Sequence, residues 1–198
     1  MEAEGAEQLG MDPYEAITEV AARVEPGANG LLFHPYITGE RAPLWNPNAK
    51  GSFIGLTVNH GREHMIRAAL EGVIFNLYAV FLALEEVMET PVTAIKATGG
   101  FAKSALWRQI VADVFNEQVM VPKSHEASCF GACLLGLYAL GEIESFDVAD
   151  DFVGLSYEHE PNPQHAAVYK KLIPIFNHLS DVLETSYESI AAYQSKGI

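Results

Sequence analysis

Residues 94–114 read AIKATGGFAKSALWRQIVADV, and the glycine pair in their middle decides how the rest of the chain is read. The segment holding Val92, Thr93 and Ile95 predicts a short strand, and Leu106, Ile110 and Val114 share one face of the helix expected behind it. Strand, tight turn and helix therefore meet at Gly99-Gly100. Glycines at such a joint permit positive φ and remove side chains, so backbone N–H groups can approach a ligand closely. A helix that starts there turns its unpaired N–H groups and the positive end of its dipole toward the same place, which suits phosphate. A glycine pair also has a purely steric use at a turn, and both readings stand on the local pattern.

The turn follows none of the widespread nucleotide motifs. A Walker A loop requires G-x-x-x-x-G-K-[S/T], whereas Lys103-Ser104 follow Gly100 after only Phe101 and Ala102. The third glycine of the dinucleotide fingerprint is missing, as is the acidic residue expected about 20 positions further on. A nucleotide fold built on this turn has to be of another kind.

With 198 residues the chain is long enough for one full core, or for one lobe of something larger. Hydrophobic residues make up 49% and the mean hydropathy is +0.08, which places it among globular rather than disordered sequences. Against 12 basic residues, the 26 acidic ones leave a formal net charge of -14, which disfavours binding to nucleic acid and to an anionic membrane. Cys129 and Cys133 lie one helical turn apart on an apolar segment and are expected as small buried side chains of a reducing compartment. The longest apolar stretch, Val73 to Leu84, is interrupted by Asn76 and falls short of a bilayer span. The acidic opening residues do not read as a signal peptide, and a cytoplasmic protein is expected.

Residues 1–25 carry helix signals, with Asp12 as cap, Pro13 at the first helical position and Ile17, Val20, Ala21 and Val24 at helical spacing. Pro26-Gly27 and Asn29-Gly30 stop that helix, and Leu31-Leu32-Phe33 predicts a buried strand. The loop from His34 to Ala49 holds three prolines and one glycine, with Gly39-Glu40-Arg41 as its polar focus. An Arg41 salt bridge stapling the loop and a ligand contact are both open there. A strand over Gly51 to Val58 precedes one long helical pattern, Glu63 to Glu89, ended by Thr90-Pro91. Its second half is apolar nearly all round, as in a helix buried between layers.

Gln118 to Pro122 reads as a strand, and Glu126 to Leu140 as a helix of very small residues. Ala127, Ser128, Gly131, Ala132 and Gly136 leave one face nearly bare, so this helix can lie close to a sheet or to a ligand. Phe146 to Tyr157 is expected as a connection, and an amphipathic helix from about His165 to Tyr193, kinked at Pro174, closes the chain within 163–194. His60 and His64 have metal-ligand spacing, but Gly61 follows His60 and no third ligand is near, so no metal site is assigned. There is no G-x-S-x-G elbow, and the apolar setting of Cys129 argues against a thiol nucleophile.

Three motifs in this order resemble the C-terminal, nucleotide-binding lobe of the FGGY carbohydrate kinases. The family signature is matched by Gly51-Ser52-Phe53-Ile54-Gly55-Leu56, then, seven residues later, by His64-Met65-Ile66-Arg67-Ala68-Ala69-Leu70-Glu71. The Gly99-Gly100-Phe101-Ala102-Lys103-Ser104 turn with Trp107-Arg108-Gln109 resembles the family's adenosine and phosphate loop, and Glu126 with Gly131-Ala132 its next helix. The resemblance is strong over residues 30–140 and holds by pattern elsewhere. It implies a single domain over 1–198, an α/β lobe of the ribonuclease-H-like (actin-like ATPase) class, with a mixed sheet packed with helices and incomplete at its N-terminal end. Within the family, the loop FHPYITGERAPLWNPNAKGSF over 33–53 is most similar to that of the gluconate kinases.

The resemblance implies phosphoryl transfer from ATP, with Mg2+, to a hydroxyl of gluconate or a related sugar or sugar acid. That chemistry asks the protein for positioning and charge stabilisation. Carried over by position, Gly99, Gly100 and Phe101 would meet the nucleotide through backbone, Ser104 would hydrogen-bond near the adenine or ribose, and Glu40 and Arg41 would stand by the cleft. Complete family members have an N-terminal lobe that bears the aspartate base, most sugar contacts and a glycine-rich phosphate loop. Their C-terminal lobe opens with a hairpin carrying a Gly-Thr turn. Neither is read before Leu31, which implies a kinase fragment, inactive alone and partnered by the missing lobe. Bare sheet edge and apolar surface imply a homo-oligomer. The rival reading is a free-standing nucleotide-binding or interaction module derived from that lobe.

Overall fold

The structure, a computed structural model, describes residues 13–88, 92, 94–123, 127–149 and 154–195. Helix α1 (Pro13–Ala22) begins on proline, whose missing N–H would have had no helical partner at that position. The Asp12 cap lies outside the described residues. Strand β1 (Leu32–His34) pairs antiparallel with β2 (Ser52–Ile54), with Phe33 opposite Phe53. The strand expected to reach Val58 stops at Ile54, because Gly55 leaves the sheet at φ 88° and Leu56, Thr57 and Val58 are exposed.

Helix α2 (Arg62–Glu85) packs its first half against β1 and α1. Gly72 permits the approach, since a Cβ there would collide with the Phe33 carbonyl oxygen. Arg67, Ala68, Glu71, Ile74 and Phe75 are buried along this half. The second half corrects the expectation of a fully buried helix: Leu77, Leu82 and Leu84 are 46%, 37% and 56% exposed. The apolar pattern is present, but only one side of the last turns is covered among the described residues, where Tyr78 and Phe81 meet the Phe115 ring at 5.3 and 5.0 Å. The helix is long and apolar enough by composition to cross a membrane, yet its inner half carries an ion pair and core side chains, as a core helix does. Thr90-Pro91 fall outside the described residues.

The second sheet has the order β3-β4-β5, with β3 (Ala94–Lys96) parallel to β4 (Gln118–Pro122) and β5 (Leu155–His159) antiparallel on the other side. Strand β5 lies in the segment read as a connection; its five residues, with Ser156, Glu158 and His159 among them, carry too little apolar alternation to stand out. Helix α3 (Ala105–Phe115) crosses between β3 and β4 and buries Ile110, Val111, Ala112 and Val114. Helix α4 (Ala127–Ala139) follows, and α5 (Pro163–Gln194) closes the chain, running through Pro174 as one element. The core joins α2, α3, β4 and α5, where Phe75 meets Tyr169 at 5.7 Å and Phe176 at 5.5 Å, both edge-on.

Helix α4 lies at the periphery, and this overturns two expectations. Cys129 and Cys133 are exposed free thiols rather than buried side chains. Gly131 and Gly136 meet only open space where a Cβ would stand, so close packing against a sheet or helix is not what requires glycine at these two positions among the described residues. Glu126 lies outside the described residues.

Candidate functional site

The turn behind β3 is built from the sheet outward. The Ala97 N–H donates to the Met120 carbonyl at 2.9 Å, one step beyond the strand. Gly99 then takes φ 96° and ψ -175°, a conformation that strains any residue with a Cβ. Residues Gly100–Lys103 form a 3-10 turn, and the Ala102 N–H donates to the Gly99 carbonyl at 3.1 Å. Ser104 caps α3, its hydroxyl oxygen accepting from the Trp107 N–H at 3.3 Å, while the hydroxyl proton can still donate.

Gly100 differs from Gly99. Its φ lies outside the left-handed region, the residue is exposed, and a Cβ built on it meets nothing within 4 Å. Phe101 packs edge-on against Trp107 at 5.7 Å and leans on the core. Trp107 Nε1 in turn donates to the Leu70 carbonyl at 3.3 Å, which fixes the turn to α2. Gly99, Gly100, Phe101 and Ser104 thus share one small surface.

Sequence reasoning registered Arg108 only as part of a motif, and it missed His159. Arg108 is 5% exposed; its Nη1 donates to the Ala102 carbonyl at 2.6 Å and its Nε to His159 Nε2 at 2.8 Å. The guanidinium carbon stands 4.2 Å over the Tyr157 ring centroid. An arginine always donates, so His159 Nε2 accepts and the ring proton sits on Nδ1, facing Gln109 Oε1 at 3.3 Å. Gln109 Nε2 donates to Asp113 Oδ1 at 2.8 Å, and buried Asp113 also receives the Asn162 N–H at 2.7 Å and His165 Nδ1 at 2.8 Å. Burial first, and the Arg108 charge second, lower the His159 pKa, with Asp113 opposing.

The polar loop is stapled by a residue other than Arg41. Glu40, 9% exposed, accepts from the backbone N–H groups of Ala42 at 2.9 Å and Leu44 at 3.0 Å and from Asn76 Nδ2 at 3.2 Å. Glu40 is therefore the staple, in place of an Arg41 salt bridge, and the Arg41 side chain is exposed. Beside the loop, Tyr36, Pro43, Leu44, Asn76, Leu82 and Ser180 line a hollow of about 240 Å³. No described interaction joins Glu40 or Arg41 to the Gly99-Gly100 turn.

The signature residues of α2 serve the interior. Glu71 Oε1 accepts from Arg67 Nε at 2.6 Å, the Gly27 N–H at 2.9 Å and the Tyr169 hydroxyl at 2.8 Å. Arg67 also donates to the Tyr169 oxygen at 2.7 Å and the Val24 carbonyl at 3.3 Å. Burial raises the Glu71 pKa, and these donors pull it back. His60 precedes α2 and bonds Thr57 and Asn29 instead of pairing with His64 around a metal. Among the described residues no group of three or more His, Cys, Asp or Glu side chains is placed to hold a metal ion.

Residues 2–140 match the model of the C-terminal domain of the FGGY family of carbohydrate kinases. The chain is 60% identical to the gluconokinase of Bacillus licheniformis over 193 residues, 98% of this chain and 38% of that relative. It is similar to the solved gluconate kinase from Lactobacillus acidophilus, with a TM-score of 0.82 and 38% identity over 90% of this chain and 36% of the other. The ligand-bound xylulose kinase from the same organism gives a TM-score of 0.83 and 37% identity over 94% of this chain and 38% of the other. The fold class is thus that of the actin-like ATPases, and the chain spans 38% of the length of the gluconokinase it matches. With the glycine turn, the signature and the family model in agreement over the same residues, the chain belongs to the FGGY family of carbohydrate kinases.

Proposed function

We propose that this chain is a single-domain C-terminal lobe of an ATP-dependent kinase acting on gluconate or a related sugar acid, with the nucleotide held at Gly99, Gly100, Phe101 and Ser104. The observation that carries the placement is Gly100: exposed, outside the left-handed region, and open where its side chain would be. Nothing within the described residues requires glycine there, whereas a ligand lying against the backbone does. Structural likeness alone does not choose the substrate, since TM-scores of 0.82 and 0.83 fall on a gluconate and a xylulose kinase. The 60% identity to a gluconokinase favours gluconate.

In this reading the turn fixes the nucleotide's position, which is most of what phosphoryl transfer asks of a protein. Backbone N–H groups of the turn meet the nucleotide, and the Ser104 hydroxyl donates toward adenine or ribose. Magnesium would arrive on the ATP phosphates, for the described residues offer it no ligand set. Glu40 keeps the loop shaped and Arg41 presents its charge by the cleft. The general base and most sugar contacts belong to the part of such kinases that this chain does not cover. That part would also lie over the exposed last turns of α2; without it, the lobe self-associates through them. A cytoplasmic setting accords with a substrate of central carbohydrate chemistry.

The test is Gly100→Val in the complete kinase. A branched side chain on the open face raises the KM for ATP about tenfold while the KM for gluconate stays near wild type. If a folded Gly100→Val enzyme keeps its ATP affinity, the nucleotide does not lie here.

A further inference from the structure

We infer that Arg108 is a positioning residue for the Gly99–Ala102 turn, and that its hold depends on His159 remaining unprotonated. The inference rests on the reading that this turn meets the nucleotide. Fully buried Ala102 controls the turn from inside, its N–H closing onto the Gly99 carbonyl and its own carbonyl taken by Arg108 Nη1 at 2.6 Å. The guanidinium is held in its turn by Tyr157 and His159, two residues apart on β5 and therefore on one face of the strand. A strand at the sheet edge thus sets the position of the turn that leads into α3.

Only a neutral imidazole can accept from Arg108. An imidazolium carries donors on both nitrogens and sets one positive charge against another, so protonation turns the 2.8 Å bond into a repulsion. The groups facing His159 from α3 are Arg108, Gln109 and Asp113. Asp113 is itself occupied by Gln109, the Asn162 N–H and His165 of α5. From β4, Val119 lies opposite His159 in the ladder, while Gln118 holds the Glu160 carboxylate at 2.6 Å. Burial and Arg108 outweigh Asp113, so His159 takes up its proton below the ordinary value of 6.5. Lysine cannot replace Arg108, because one ammonium does not reach both acceptors in the planar fork geometry.

The experiment measures KM for ATP and for gluconate in the complete kinase at about pH 8 and about pH 5, well below the ordinary imidazole value, for wild type, Arg108→Lys and His159→Gln, with melting temperatures alongside. Arg108→Lys raises the KM for ATP about tenfold and leaves that for gluconate unchanged. For wild type, the ratio of ATP KM at the lower pH to that at the higher exceeds the ratio for His159→Gln at least about threefold, since a glutamine oxygen accepts from Arg108 at both pH values. The nucleotide's own titration is common to both enzymes. Equal ratios overturn the inference, as does a folded Arg108→Lys enzyme with unaltered ATP KM. If Arg108→Lys does not fold, the His159→Gln ratio decides alone. A raised ATP KM in Gly100→Val together with equal ratios defeats this inference only; an unchanged ATP KM in Gly100→Val defeats the nucleotide reading beneath it.

Discussion

Gly72 on α2 and Gly100 in the turn are used in opposite ways. At Gly72 the chain closes on itself, with the Phe33 carbonyl where a Cβ would be, whereas at Gly100 that space is open. The same contrast separates the two regions around them. Arg67 and Glu71, the most conspicuous charges of the signature, are consumed by Tyr169, Gly27 and Val24 inside the lobe. The turn, which looks plainer in sequence, leaves Gly100 without an internal packing use among the described residues. Residues that mark a family can therefore be internal scaffolding.

The largest effect that tests this contrast belongs to Glu71→Ala. It strips the acceptor from three donors and leaves the Arg67 charge buried without compensation, at a cost of about 3–5 kcal/mol. A chain of this size should lose about 10 °C of melting temperature by circular dichroism, and any enzyme that still folds keeps its KM for ATP. A loss of only a degree or two would mean that the network is not the scaffold described.

Next comes Gly72→Ala. Alanine in a helix normally gains about 1 kcal/mol over glycine. Here its methyl meets the Phe33 carbonyl, and a net loss of about 2 kcal/mol is expected in the urea midpoint. A stabilised variant would show that α2 and β1 are not in that contact. Gly100→Ala, by comparison, changes stability by less than about 0.5 kcal/mol, because a Cβ there meets nothing within 4 Å.

The smallest effect is a pH dependence confined to the interior. His34 is fully buried between Tyr187 and the Phe176 carbonyl; burial lowers its pKa, while the Phe176 bond opposes. The unfolded chain then takes the proton first, so the stability is present above 6.5 and declines as pH falls below that value. Urea midpoints at about pH 7.5 and about pH 5.5 should differ by roughly 1 kcal/mol, and less in His34→Gln. Equal pH slopes in the two proteins would remove His34 as the cause.

Much of the region around the glycine turn was legible in sequence because its determinants are local. Leu106, Ile110 and Val114 at helical spacing predicted the helix that α3 (Ala105–Phe115) is, Gln118 to Pro122 read as the strand that β4 is, and the glycine pair marked the turn between β3 and α3. The loop's polar focus was also visible, but the residue that staples it is Glu40 and not Arg41. A carboxylate can gather several backbone N–H groups at once, and which side chain turns inward is not written in the tripeptide.

What the sequence determined by itself was the succession of elements apart from β5, the family and the turn, since each is encoded by neighbours a few residues apart. Only the tertiary structure decided which apolar residues are covered. Leu77, Leu82 and Leu84 carry the same hydrophobicity as Ile74, yet burial depends on which side of the helix another layer covers, and these three stay exposed. The exposed Cys129 and Cys133 follow from the same cause. Tertiary structure alone also joined Arg108 to His159, 51 residues apart. Such a pairing is set by the register of β5 against β4, and hydrogen bonds between distant side chains leave no periodicity along the chain.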